Sequence, residues 1–391
     1  MLFPTGTSII AILAAAFSAV SHAQLPADSA TYVVRLGRDT LKIERFVKRD
    51  NVLRSESVRR GEGVEQQYVD MIFDAEGYVA SAQVRTYKWP VEAGAKPIAG
   101  SNVYVKGDST VLELGLAPNA RRVVYAGRGN IFNIGANPFI FTLYTAIAAN
   151  APRTTGDSSV SQHMASTLGV RPLVIKRVTP DLVTAYSTIM GLMRMRLDSE
   201  GRVRELDGIG SSVNYQAERV GWVNLDSAAR VLEAMNRRTG AIATLSPRDS
   251  ISVTAGGANL KVDYSRPSKR SRLVFGGIVP WDRIWRTGAN VATHFSSDRT
   301  LAFGTTIVPP GRYTLFTLPR QGGWTLIISR QTGQWGTEYD PAHDLARIPM
   351  RTRTLPAPVE QLTIDIEPRT RGGVLRVQWD TTEAYVEFGV R

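Results

Sequence analysis

Alternation of apolar and polar residues, in short runs broken by Gly, Asp and Pro, is the feature that most limits what this chain can fold into. A period of two sends successive side chains to opposite faces, so each run is a strand with one face to bury. Tyr32-Val33-Val34-Arg35-Leu36 and Asp39-Thr40-Leu41-Lys42-Ile43-Glu44-Arg45-Phe46 flank a turn at Gly37. Gln67-Tyr68-Val69-Asp70-Met71-Ile72-Phe73 enters Asp74-Ala75-Glu76-Gly77 and leaves through Tyr78-Val79-Ala80-Ser81-Ala82-Gln83-Val84. This is a hairpin with Asp and Gly as turn formers. The same unit recurs where Gly191-Leu192-Met193-Arg194-Met195-Arg196-Leu197 enters Asp198-Ser199-Glu200-Gly201. The pair suggests a duplicated antiparallel meander, although D-x-E-G turns are common enough to arise without ancestry.

From Ser246 onward nearly all the text is β. Strands are expected near residues 250–254, 259–265, 291–296, 312–318, 324–329, 347–355, 361–367, 374–380 and 384–390. Short strands with Gly/Pro turns at this spacing indicate a sandwich. The expected fold class is mainly β: an N-terminal antiparallel curved sheet with a few helices (α+β), plus a C-terminal β-sandwich. Two helices are expected. Residues 137–149 are apolar nearly all round, with Pro138 in the first turn, and are too short to span a bilayer. In residues 225–238, Ala228, Val231, Leu232 and Met235 share a face; Asn224 or Asp226 caps the start and Gly240 ends it. The domain boundary follows, giving expected domains at 24–245 and 246–391.

Residues 1–23 carry no Asp, Glu, Lys or Arg, and Ser21-His22-Ala23 offers small residues before Gln24. This pattern reads as a secretory signal with its cleavage site; a buried N-terminal helix is the alternative. The expected destination is outside the cytoplasm, periplasmic or extracellular. With no cysteine in the chain there is no lipoprotein anchor, disulfide, thiol nucleophile or thiolate metal site. The net charge is +12 over 391 residues, Lys occurs at only eight positions, and no basic tail collects the charge. Nucleic-acid proteins concentrate charge on an arm or stripe, so no nucleic-acid partner is expected. An anionic glycan, a sugar or an acidic small molecule fits better. The plainer alternative is Arg placed at solvated positions.

Three segments carry a resemblance. They are Asp263-Tyr264-Ser265-Arg266-Pro267-Ser268; Phe275-Gly276-Gly277-Ile278-Val279-Pro280-Trp281 with Ile284-Trp285-Arg286-Thr287-Gly288-Ala289-Asn290; and Pro310-Gly311-Arg312-Tyr313-Thr314-Leu315-Phe316-Thr317 followed by Gln334-Trp335-Gly336. In order and spacing, residues 246–391 resemble the uncharacterised bacterial family known as domain of unknown function 2911. The resemblance implies an exported β-domain and no activity. Val291 stands where relatives usually carry an acid. No family is recognised for residues 24–245.

The most informative stretch is 280–288. Pro280 suits a first helical position and Gly288 a left-handed cap, which would put Trp281, Ile284 and Trp285 on one face. Both tryptophans are then core anchors, or one is a stacking platform for a sugar ring. Between residues 266 and 286, Arg266, Lys269, Arg270, Arg272, Arg283 and Arg286 stand against Asp282 alone. Such an excess can bind a carboxylate or phosphate through bidentate Arg contacts. Alternatively, Arg286 pairs with Asp263 and fixes the turn. His294, with Tyr264, Arg286 and Asn290, can form a polar cluster at the sandwich rim. As a general base it needs an orienting partner such as Asp263. His343, in Glu338-Tyr339-Asp340-Pro341-Ala342-His343-Asp344, has oxygen donors nearby, but Asp340 as the cap of a turn explains them without a metal. No metal and no cofactor is expected.

The chain has no G-x-S-x-G elbow, H-E-x-x-H, P-loop or G-x-G-x-x-G. The leading expectation is a non-enzymatic envelope protein that binds an anionic or sugar-like ligand through Tyr264, Arg266, Trp281, Arg286, Asn290 and His294. A metal-independent hydrolase around His294 and Arg286 is one alternative. A structural surface module is the other.

Overall fold

The computed structural model describes residues 28–75, 77–127, 131–133, 143–166, 169–212, 214–242 and 245–391. The expected signal, residues 1–23, lies outside them, as do residues 137–142 of the first expected helix. The chain forms two compact units. The first takes residues up to Ser187, with Leu192–Gly208 and Asn214–Ala243. The second takes Thr188–Gly191, Ile209–Val213 and Thr244–Arg391.

The first unit is built on two meanders. One runs through β1 (Asp28–Leu36), β2 (Asp39–Arg49), β3 (Val52–Arg60), β4 (Val64–Phe73), β5 (Val79–Lys88), β6 (Ala99–Lys106), β7 (Ser109–Leu114) and β8 (Arg121–Ala126). The other comprises β9 (Ile131–Asn133), β10 (Ser159–Ser166), β11 (Gly169–Thr179), β12 (Leu182–Ser187), β13 (Gly191–Leu197), β14 (Val203–Asp207) and β15 (Gln216–Val220). They join where β1 pairs antiparallel with β15, Thr31 opposite Val220. Among the described residues the result is one mixed sheet of 15 strands, antiparallel apart from β9, which lies parallel to β10. Helix α1 (Leu143–Ala149) follows β9 in sequence and buries Leu143, Tyr144, Ile147 and Ala148. Helix α2 (Leu225–Thr239) starts at Asn224, whose side chain accepts from the Ser227 amide, and ends at Gly240 with φ 83°. Its face of Leu225, Ala228, Ala229 and Leu232 packs on Ile43, Val58 and Val64 of β2–β4.

The two D-x-E-G hairpins have one geometry. In each, the Gly amide donates back to the Asp carbonyl, Gly77 to Asp74 at 3.1 Å and Gly201 to Asp198 at 3.0 Å. The Asp Oδ1 accepts from the amide four residues on, Tyr78 at 2.8 Å and Arg202 at 2.9 Å. Both glycines have positive φ, 82° and 77°, which an L side chain resists. Both ladders slip by one residue beside the turn.

The second unit is a β-sandwich. Its strands are β16 (Arg248–Ala255), β17 (Ala258–Ser265), β18 (Thr293–Ser297), β19 (Leu301–Phe303), β20 (Thr306–Val308), β21 (Gly311–Leu318), β22 (Trp324–Ser329), β23 (Asp344–Arg369) and β24 (Gly372–Val390). Hydrogen bonding orders them β16-β17-β18-β21-β22-β23-β24-β19-β20. Residues 347–355 and 361–367, expected as two strands, are one long β23. Residues 374–380 and 384–390 likewise merge in β24. The ladder between them is irregular at Thr354/Val359 and Val359/Thr363. Those breaks bend the hairpin so that its distal half faces the first strands. Leu362, Ile364, Leu375 and Trp379 thereby share one core with Leu260, Val262, Phe295, Leu326 and Ile348.

The expected helical turn at 280–288 does not form. The Trp285 amide donates to the Thr317 carbonyl at 2.8 Å and the Thr317 amide returns the bond at 2.9 Å. A residue engaged in an extended pair cannot also wind a helix. Extended backbone sends neighbours to opposite sides. Trp281 and Trp285 therefore pack on the main core, while Ile284 meets a separate cluster of Phe316, Leu318 and Ile327. The left-handed positions are Asp282, Thr287 and Asn290, with φ between 48° and 59°, not Gly288. Gly288 is needed for space: a Cβ there would come within 2.7 Å of Thr293 Oγ1.

Candidate anion-binding site

Arg286 is 9% exposed. Among the described residues its polar contact is a long one, Nη1 donating to Ser212 Oγ at 3.5 Å. Among the described residues no carboxylate pairs with it, and burial alone pushes its guanidinium down from the usual arginine range to about 10. Asp263, the partner expected from sequence, is taken by Arg248: Nε meets Asp263 Oδ1 at 2.5 Å and Nη2 donates to the Asp263 carbonyl at 3.0 Å. A guanidinium has five N–H donors and is costly to bury without acceptors. Among the described residues that charge makes one long hydrogen bond, and its other nitrogens are not fully enclosed, which leaves them open to an incoming acceptor.

The surroundings of Arg286 are fixed from several sides within the second unit. Gly336 lies against its side chain; a Cβ there would come within 2.4 Å of Arg286 Cδ and 2.7 Å of the Asn290 carbonyl. The Gly336 amide donates to that same carbonyl at 3.0 Å. Next to it, Trp335 Nε1 donates to the Ile189 carbonyl at 3.3 Å, and Thr337 Oγ1 donates to the Thr188 carbonyl at 2.5 Å. Ser212 Oγ donates to the Ile189 carbonyl at 2.5 Å, which leaves its lone pairs facing the guanidinium. Ser212 and the 188–191 segment were not among the expected site residues. Nothing in the local sequence marks them, since they lie far from Arg286 along the chain.

The other expected site residues do not gather at a rim. Tyr264 is a core residue, 1% exposed. Its hydroxyl donates to the Ile364 carbonyl at 3.4 Å and accepts from the Ile364 amide at 3.0 Å. Arg266 stitches β17 to β23: Nε donates to the Leu362 carbonyl, Nη1 to Asp249 and Nη2 to Thr363 Oγ1, each at 3.0 Å. Trp281 is half-buried, its ring tilted against Phe275 at 5.8 Å. Phe275 also meets Trp285, Trp324 and Trp379, and Trp285 stacks on Trp379 at 6.0 Å. This aromatic knot explains the tryptophans as anchors. Asn290 is exposed.

His294 is 6% exposed, and its Nε2 accepts from the Gly333 amide at 3.0 Å. Burial, then the fields of Arg312 and Arg248, hold it below the usual imidazole value, against the opposing pull of Asp263. Nε2 is thus occupied by backbone, and Nδ1 lies 3.5 Å from Arg248 Nη2. At His343 the structure shows a single 3-10 turn, Pro341–His343, capped by Asp340. Among the described residues no three His, Asp or Glu side chains are grouped to hold a metal ion.

Residues 246–388 match the model of a family described as a protein of unknown function, DUF2911, and form its domain in this chain. No curated protein matches the chain. Two solved structures are similar to part of it at 12% identity and a TM-score of 0.30. One is a DUF1089 family protein from Pseudomonas aeruginosa, with 42% of this chain and 89% of that chain covered. The other is a β-barrel-like protein of domain of unknown function DUF1849 from Brucella abortus, with 49% and 95% covered.

Proposed function

We propose that this is an exported, non-enzymatic binding protein whose DUF2911 domain captures an anionic group at Arg286. The observation that carries the reading is a buried guanidinium without a carboxylate partner among the described residues. A carboxylate, phosphate or sulfate group offers paired oxygens at the spacing of the guanidinium fork, and charge-assisted bonds in a desolvated setting are the strong ones. Ser212 Oγ, already next to Nη1, would orient the fork. Export rests on the N-terminal signal pattern and places the ligand among envelope or extracellular anions. The His294 hydrolase gains no support, because its Nε2 is already bonded to the Gly333 amide.

The test is calorimetric titration of the full chain with inorganic phosphate, pyrophosphate, citrate and a sulfated oligosaccharide. The reading expects saturable binding of at least one anion, loss of it in Arg286→Met, and partial retention in Arg286→Lys. Equal binding by the wild type and Arg286→Met would remove Arg286 from the function.

A further inference from the structure

A second surface, in the first unit, has the composition of a sugar-binding platform. On the face of the sheet that carries α2, register places Arg45 opposite Glu56 and Glu56 opposite Tyr68. Tyr68 meets Tyr87 edge to face, with centroids 5.7 Å apart. The Arg45 guanidinium lies over the Trp222 ring at 5.2 Å. From the other side, Trp89 Nε1 reaches Asp226 Oδ1 at 3.5 Å, in the first turn of α2. Burial first, then Glu56, Tyr87 and Asp226, raise the Tyr68 hydroxyl above the usual phenol value, which brings Asp226 and Tyr68 into one neighbourhood.

All four rings are partly exposed. Trp89 rests one side on the core under α2, whereas Tyr68, Tyr87 and Trp222 belong to none of the described core clusters. The polar atoms around them are only partly spent. Arg45 Nε donates to Glu56 Oε2 at 2.9 Å and Gln66 Nε2 to the Tyr68 hydroxyl at 2.8 Å. Glu56 Oε1, Asp226 Oδ2, Tyr87 Oη and Trp222 Nε1 have no hydrogen-bond partner among the described residues.

We propose that Tyr68, Tyr87, Trp89 and Trp222 form a stacking platform for a neutral hexose ring, with Glu56, Asp226 and Gln66 taking its hydroxyls. The C–H face of a pyranose is apolar and lies flat on an aromatic ring, and carboxylates are the strongest acceptors for the hydroxyls at its edge. The charge balance selects a neutral sugar. Arg45 is matched by Glu56, and Arg54 and Arg85, which flank Tyr68, by Asp70 and Asp226, so no net charge is favoured in a ligand here. This separates the platform from Arg286, which calls for an anion.

The test titrates the full chain with four uncharged oligosaccharides, maltohexaose, cellohexaose, mannohexaose and chitohexaose, and follows intrinsic tryptophan fluorescence. At least one should give a saturable change. Its affinity should fall about tenfold in Trp222→Ala and in Glu56→Gln, fall less in Trp222→Phe, and stay unchanged in Arg286→Met. Thermal unfolding of each variant confirms that it is folded. The proposal is overturned if none of the four saturates below about 10 mM, or if folded Trp222→Ala and Glu56→Gln bind as tightly as wild type.

Discussion

Each unit buries a basic side chain, and the two are treated differently. Lys42 in β2 is buried, and its Nζ meets Glu44 at 2.7 Å and donates to Gln67 Oε1 at 3.3 Å. Gln67 Nε2 passes the chain on to Thr86 Oγ1 at 3.4 Å. Burial lowers the Lys42 ammonium, and Glu44 pulls it back up. For Arg286 burial is the cause of the shift, and no acid among the described residues answers it. A buried charge with a partner and satisfied neighbours belongs to the fold. A buried charge without one is a cost that the fold alone does not repay, and an incoming anion can repay it.

That contrast can be broken or sharpened by experiment. The largest effect is expected in the first unit. Glu44→Met removes the carboxylate beside the buried Lys42 ammonium, and should cost about 3–5 kcal/mol in urea unfolding. Next comes ligand-linked stability in the second unit. An anion at one hundred times its dissociation constant should raise wild-type stability by about 2.7 kcal/mol and leave Arg286→Met unmoved, as read by thermal shift. Gly336→Ala drives a methyl into Arg286 Cδ and the Asn290 carbonyl. It should cost about 1–3 kcal/mol by overpacking and weaken anion binding with it.

The smallest effect is on pH dependence. The folded state holds His294 below its ordinary value of 6.5, so it binds fewer protons there than the unfolded chain does. The stability contributed is complete above about pH 6.5 and is lost as pH falls through the depressed value. His294→Gln should flatten that acid-side slope, measured as unfolding midpoint against pH.

Much of the fold was legible because binary pattern and turn chemistry are local. The Asp74 and Asp198 hairpins formed as their sequences imply, down to the side-chain bond from Asp and the positive φ of Gly. The Asn224 cap and the Gly240 stop of α2 were equally readable. What was not legible depends on partners far away in the chain. The pattern around 280–288 fits a helical turn in isolation, and only pairing with Thr317 makes it extended. Tyr264 and Arg266 look available in sequence. The strand that uses them, β23, arrives about a hundred residues later and reaches them because its ladder bends. Asp263 looked like the partner of Arg286 until β16 supplied Arg248. The chemistry of Arg286 is legible in its residue type, whereas the roles of Ser212 and Gly336, which shape the space around it, depend on the fold.

The most direct test of the central claim is urea unfolding of Arg286→Met against wild type in anion-free buffer. If the guanidinium is buried without compensation, its removal costs nothing or raises the midpoint. A loss of about 3–5 kcal/mol, the signature of a broken buried pair, would mean that the fold itself satisfies Arg286 and that it is not held for a ligand.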